Sequence, residues 1–99
     1  GLIPTLPAEA CVEVACLVNK NGIQPCVQKP LPLQLAAMNS AMIGVQLLTI
    51  EAAVTQKKET IYQAAMLDPH TSSELSIDEI IRLCDDLIEA HGSYLPKYH

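Results

Sequence analysis

The sequence predicts an α+β chain: a β-hairpin followed by three helices, with a long buried helix at the centre. Three observations carry this reading. First, Val12, Val14, Cys16 and Val18 alternate with Cys11, Glu13, Ala15 and Leu17, and the run ends in Asn19-Lys20-Asn21-Gly22. That is the period of a strand followed by turn chemistry. Second, residues 33–50 pass without an Asp, Glu, Lys or Arg, more apolar length than one small core needs. Third, Ser76-Ile77-Asp78-Glu79 has the spacing of a helix capping box.

The hairpin is expected over about residues 11–28. Asn and Gly tolerate positive φ at the turn, and Ile23-Gln24-Pro25-Cys26-Val27 returns as the second strand. Pro25 cannot donate to a ladder, so that strand is short and lies at an edge. A lone hairpin is marginal, so helices or further strands must cover it.

Pro30-Leu31-Pro32 then breaks the pattern and can start a helix over about 32–55. At 100° per residue its apolar positions fall on two opposite ridges. Ala36, Ile43, Leu47, Ile50 and Val54 form one; Met38, Ala41, Val45, Leu48 and Ala52 form the other. Such a helix is sandwiched between layers. Its polar interruptions (Gln34, Asn39, Ser40, Gln46, Thr49), without aromatic or basic anchors at both ends, argue against a membrane span. Thr55-Gln56-Lys57-Lys58 interrupts the pattern, and a short helix over about 58–68 turns Ile61, Ala64 and Ala65 inward until Asp68-Pro69 stops it. The capping box opens the last helix, about 76–91, with Ile77, Ile80, Ile81, Cys84, Leu87 and Ile88 as its apolar stripe. His91 suits its last turn and Gly92 the position just past its end.

Ninety-nine residues make one domain, 1–99, with a modest core. Yet 49% of the residues are hydrophobic and only 3% aromatic, so the core is aliphatic and the excess predicts a buried contact with another domain or subunit. The net charge of −5 argues against nucleic acid and against an anionic membrane surface. The opening Gly1-Leu2-Ile3-Pro4, without Met, reads as a piece of a longer polypeptide.

No constellation of catalytic type is evident. Cys11, Cys16, Cys26 and Cys84 show no C-x-x-C spacing and read as free, buried thiols of a reducing cytoplasm. His70, His91 and His99 do not converge, and Asp85 and Asp86, with Asp78, Glu79 and Glu89, read as a solvated face. No G-x-G-x-x-G follows a strand. The only candidates for a site are Asn39 and Gln46, amides inside the apolar helix. They must find partners when buried, either across a domain contact or at the edge of a substrate pocket.

Val12-Glu13-Val14-Ala15-Cys16-Leu17-Val18-Asn19-Lys20-Asn21-Gly22-Ile23-Gln24-Pro25 resembles the strand–turn–strand "VEVPCLVDxNGIQP" of glycoside hydrolase family 4. Leu31-Pro32 with Leu35-Ala36-Ala37-Met38, then Val45-Gln46 and Glu51-Ala52-Ala53, is similar to that family's long helix. Ile61-Tyr62-Gln63-Ala64-Ala65-Met66-Leu67-Asp68-Pro69-His70-Thr71 resembles its "YHAAMxDPHT", and Ala90-His91-Gly92 with Leu95-Pro96 completes the match. The wording leans towards the α-galactosidase branch. Ala15 for Pro, Asn19 for Asp, Ser40, Ala41 and Gly44 for polar residues, and Gln56-Lys57 for a Gly-Asp turn depart from the pattern.

The resemblance implies the C-terminal part of a cytoplasmic glycosidase, with a fold like the C-terminal domains of lactate and malate dehydrogenases. It implies a parent that uses NAD and Mn²⁺: the sugar is oxidised at C3, the glycosidic oxygen is eliminated, and the oxidation is reversed. The dinucleotide loop and the metal ligands lie elsewhere in that family, so this segment is expected to bind neither group and to be inactive alone. Its expected partners are the rest of the parent enzyme and a second copy, met through the long apolar helix. Two other classes compete: a non-enzymatic helical dimerisation module, and the C-terminal part of a related NAD-dependent dehydrogenase.

Overall fold

The computed structural model describes every residue from Gly1 to His99. The chain divides into two compact units, Gly1–Ile43 and Gly44–His99.

The first unit holds the hairpin, β1 (Cys16–Asn19) and β2 (Gly22–Pro25), paired antiparallel with Cys16 opposite Pro25 and Asn19 opposite Gly22. Asn19 Oδ1 accepts the Asn21 amide at 2.8 Å, and Gly22 takes φ +107°, a conformation that favours glycine. Pairing is shorter than the expected 11–28, and every strand residue is exposed. The alternation from Val12 continues as irregular chain: Val12 and Val14 are half-buried, and the Cys26 amide reaches the Ala15 carbonyl at 2.9 Å. The N-terminal segment is tied down by Gln28 N–H to the Leu2 carbonyl (2.8 Å) and Leu31 N–H to Thr5 Oγ1 (3.1 Å). Leu6, Ala36 and Ile43 are its buried residues.

The helix α1 (Leu33–Thr55) is a single element, long and apolar enough to cross a membrane by length and composition alone. Within this chain it buries only Ala36, Ile43 and Ala52, with Gly44, Val45, Leu47, Leu48 and Thr55 half-buried. Met38 stays 71% exposed and Val54 78% exposed. Thr49 and Thr55 turn their hydroxyls back to the carbonyls of Val45 and Glu51, both at 2.8 Å, so these two side chains are satisfied locally.

The second unit packs α2 (Lys58–Leu67) and α3 (Pro69–Glu74) against α4 (Ile77–His91), which ends in a 3₁₀ turn, Gly92–Tyr94. Thr60, Ala64, Ile80 and Cys84 are buried here, and Ala52 joins them from α1. The capping box forms as its spacing predicts, with Glu79 Oε2 accepting the Ser76 amide at 2.8 Å. Gly92 caps α4 at φ +51°. A fourth helix, α3, is one the sequence left inside the loop after Asp68-Pro69. The reason is that the same two residues stop one helix and start the next. Asp68 leaves α2 extended, then its carboxylate accepts the Thr71 amide at 2.8 Å, with Pro69 in the first turn.

Candidate functional site

Two features of the second unit could carry chemistry. The first is polar. Lys58 and Tyr62 lie four residues apart on α2 and so share a face; Asp85 meets them from α4. The Tyr62 hydroxyl donates to Asp85 Oδ1 at 2.6 Å, and Lys58 Nζ lies 2.7 Å from the same oxygen. The ammonium also sits 5.7 Å from the Tyr62 ring centroid. Its hydrogen bond to Asp85, helped by Tyr62, pushes the Lys58 pKa up to about 12. The hydrogen bond to Asp85, then burial, raises the Tyr62 pKa. Asp85 is held below the usual carboxylate range by Lys58 and then Tyr62. Each group is thus driven further into its ordinary neutral-pH state. That is the opposite of what a general acid or base needs, so the trio is a strut between two helices.

Asp85 is thus half-buried by a contact the solvated-face expectation did not include, whereas Asp78, Glu79, Asp86 and Glu89 are exposed as expected. The Lys58-x-x-x-Tyr62 spacing was the available signal for the strut. Its partner on α4 becomes visible only once the helices are paired.

The second feature is a cavity of about 290 Å³. Ala52 and Ala53 of α1, Ile61 and Ala64 of α2, and Cys84, Leu87 and Ile88 of α4 make its apolar walls; Leu95 and Tyr98 of the tail complete them. Thr49 and His91 are its other polar side chains. Both are engaged elsewhere: Thr49 with Val45, and His91 Nδ1 with the Leu87 carbonyl at 2.6 Å, which keeps the proton on that nitrogen. Burial raises the Cys84 thiol pKa, so the one cysteine in the cavity wall is a poor nucleophile.

The sequence candidates lie outside both features. Asn39, in the first unit, and Gln46, in the second, are exposed, so neither amide needs an internal partner in this chain. Cys11, Cys16 and Cys26 are likewise free but exposed, and only Cys84 is buried. On the hairpin the cause is local: strands this short, with no layer over them, leave both faces in water.

The residues present do not fit a metal or a dinucleotide. No three His, Cys, Asp or Glu side chains converge closely enough to hold a metal ion. The hairpin turn, at Asn19-Lys20-Asn21-Gly22, leads into a second strand, whereas a pyrophosphate cradle needs a helix N-terminus there.

Residues 1–71 match the model of the family 4 glycosyl hydrolase C-terminal domain. Over 98 residues the chain is 60% identical to an α-galactosidase of Bacillus subtilis, covering 99% of this chain and 23% of that protein. It is 30% identical to a probable 6-phospho-β-glucosidase of the same organism, covering 99% and 22%. Against a maltose-6′-phosphate glucosidase of Fusobacterium mortiferum it is 31% identical, covering 97% and 21%. The fold also superposes on a crystal structure of a 6-phospho-α-glucosidase from gut microorganisms, in complex with NAD and glucose-6-phosphate. There the TM-score is 0.85 and the identity 25%, over 100% of this chain and 22% of that one. The chain thus spans less than a quarter of the length of these relatives. The match to that family model over residues 1–71, most of the chain, places it in the C-terminal domain of the family 4 glycosyl hydrolases.

Proposed function

We propose that the chain belongs to an α-galactosidase that removes terminal α-galactosyl groups by an NAD- and Mn²⁺-dependent oxidation–elimination. One observation carries the choice within the family: 60% identity to the Bacillus α-galactosidase, about twice the identity to the two phosphoglucosidases aligned over nearly the same residues. The role of this segment is architectural. Its apolar helix and exposed hairpin are surfaces for the rest of the enzyme and for a second subunit, and the cofactor and metal are held by residues outside it. Alone it is inactive. A cytoplasmic location, where NAD is available, goes with the same reading. The family match speaks against the stand-alone dimerisation module and against the dehydrogenase.

The test is release of nitrophenol from p-nitrophenyl α-galactoside by the full-length protein. The expected result is activity that requires both NAD⁺ and Mn²⁺ and is absent from residues 1–99 alone. Hydrolysis of only 6-phosphorylated glucosides would overturn the galactoside assignment. Activity without NAD⁺ would overturn the mechanism.

A further inference from the structure

We propose that residues 95–99 are a strap, hinged at Gly92 and latched at the α1–α2 joint, that walls one side of the apolar cavity of the second unit and limits access to Cys84. The latch is a two-way backbone pair. The His99 amide donates to the Gln56 carbonyl at 2.9 Å, and the Lys58 amide donates to the His99 carbonyl at 2.8 Å. Gln56 is the one non-glycine residue with positive φ, +57°, and this conformation aims its carbonyl at the tail. At the other end Gly92 takes φ +51°, which favours glycine, and Leu95 N–H closes the 3₁₀ turn on its carbonyl at 3.3 Å.

Between hinge and latch the tail is held by side chains alone. Leu95 and Tyr98 turn inward to wall the cavity, while Pro96 and Lys97 stay exposed. A segment fixed by two hydrogen bonds and two half-buried side chains opens at far lower cost than the helices beneath it. Cys84, buried in the cavity lining, is the built-in reporter, because its thiol is reached through the cavity.

The experiment uses the full-length protein. Alkylation of Cys84 by iodoacetamide is followed by peptide mass spectrometry, alongside amide exchange at Lys58. His99→Pro removes the donated N–H, whereas His99→Ala keeps it. The expected result is about tenfold faster alkylation of Cys84 and loss of Lys58 amide protection in His99→Pro, with His99→Ala unchanged and α4 amides still protected. Tyr98→Ala, which leaves the latch but thins the wall, is expected to speed alkylation too. Unchanged alkylation in both His99→Pro and Tyr98→Ala would overturn the proposal. So would faster alkylation accompanied by equal loss of protection along the whole of α4, because the tail would then be a structural wall and not a gate.

Discussion

Ile77 and Ile80 lie one turn apart on α4, and both belong to its apolar stripe. The structure separates them: Ile80 is 2% exposed and Ile77 is 64% exposed. Ile80→Ala removes three buried carbons, about 2.4 kcal/mol at ~0.8 kcal/mol per group. The cavity left behind raises the loss to roughly 3–4 kcal/mol. Ile77→Ala removes the same atoms from a side chain still mostly in water, so the loss is under about 1 kcal/mol. The larger figure is a sizeable share of the ~5–15 kcal/mol that holds a whole domain. Amide exchange along α4, measured in the isolated chain, reads both. Ile80→Ala is expected to accelerate exchange roughly a hundredfold or more, and Ile77→Ala less than about tenfold. Equal effects would refute the packing of α4 described above. Repeating Ile77→Ala in the full-length protein asks a second question. A loss there that is absent in the isolated chain would show that the outer edge of this stripe is covered by the rest of the enzyme.

Three further outcomes follow from the same geometry. The Lys58–Tyr62–Asp85 strut is expected to stabilise evenly across neutral pH. Asp85 has a lowered folded pKa, so its contribution is full above its unfolded value and is lost as pH falls through the folded one. Lys58 is raised, so its contribution is full below its unfolded value near 10.5 and is lost as pH rises through about 12. Asp85→Asn should therefore flatten both ends of a thermal-denaturation profile against pH, and a variant profile that keeps both ends would count against the strut. The isolated chain should self-associate through α1, with Met38→Asp and Val54→Asp reducing it; light scattering showing a stable monomer of the unmodified chain at micromolar concentration would contradict this. Asn39→Ala and Gln46→Ala in the full-length enzyme are expected to shift Tm and leave kcat/KM unchanged, whereas a fall in kcat/KM at unchanged Tm would put those amides at the substrate.

The elements legible in the sequence are those specified by their own residues. Ser76 and Glu79 make a box whose donors and acceptors lie three residues apart, so spacing is enough. The Asn19-Lys20-Asn21-Gly22 turn is equally local. What the residues did not show is what depends on pairing between elements. Asp85 looks like one of several surface acids until α2 brings Lys58 and Tyr62 to it. The α3 helix was hidden because Asp68-Pro69 is read first as a stop. Gln56 was half visible. The family pattern carries Gly-Asp where this chain has Gln56-Lys57, and the positive φ at Gln56 is the backbone shape that a glycine there would adopt freely. The site is least legible, since Asn39 and Gln46 are candidates only where α1 is covered, and this chain leaves them exposed.

The pattern on α1 calls for cover by another domain or subunit. The helix carries apolar side chains on opposite ridges, and the two units bury only Ala36 and Ile43 from one and Ala52 from the other. All three are contacts of small or single side chains, whereas Leu33, Met38, Ile50 and Val54 stay mostly in water. The hairpin shows the same imbalance, with Leu17, Val18 and Ile23 exposed on strands too short to be stable alone. Scattered apolar residues on a surface need no explanation, but a long helix and a two-stranded sheet left bare together do. The relatives extend far beyond the stretch this chain matches, and on the function proposed above the remainder of such an enzyme is what covers these surfaces. In that setting α1 is a tie between this segment and what packs on it. A charged residue placed at Val54 should therefore cost more stability in the full-length enzyme than in the isolated chain, where that side chain is 78% exposed. Equal costs in the two would show that nothing covers it.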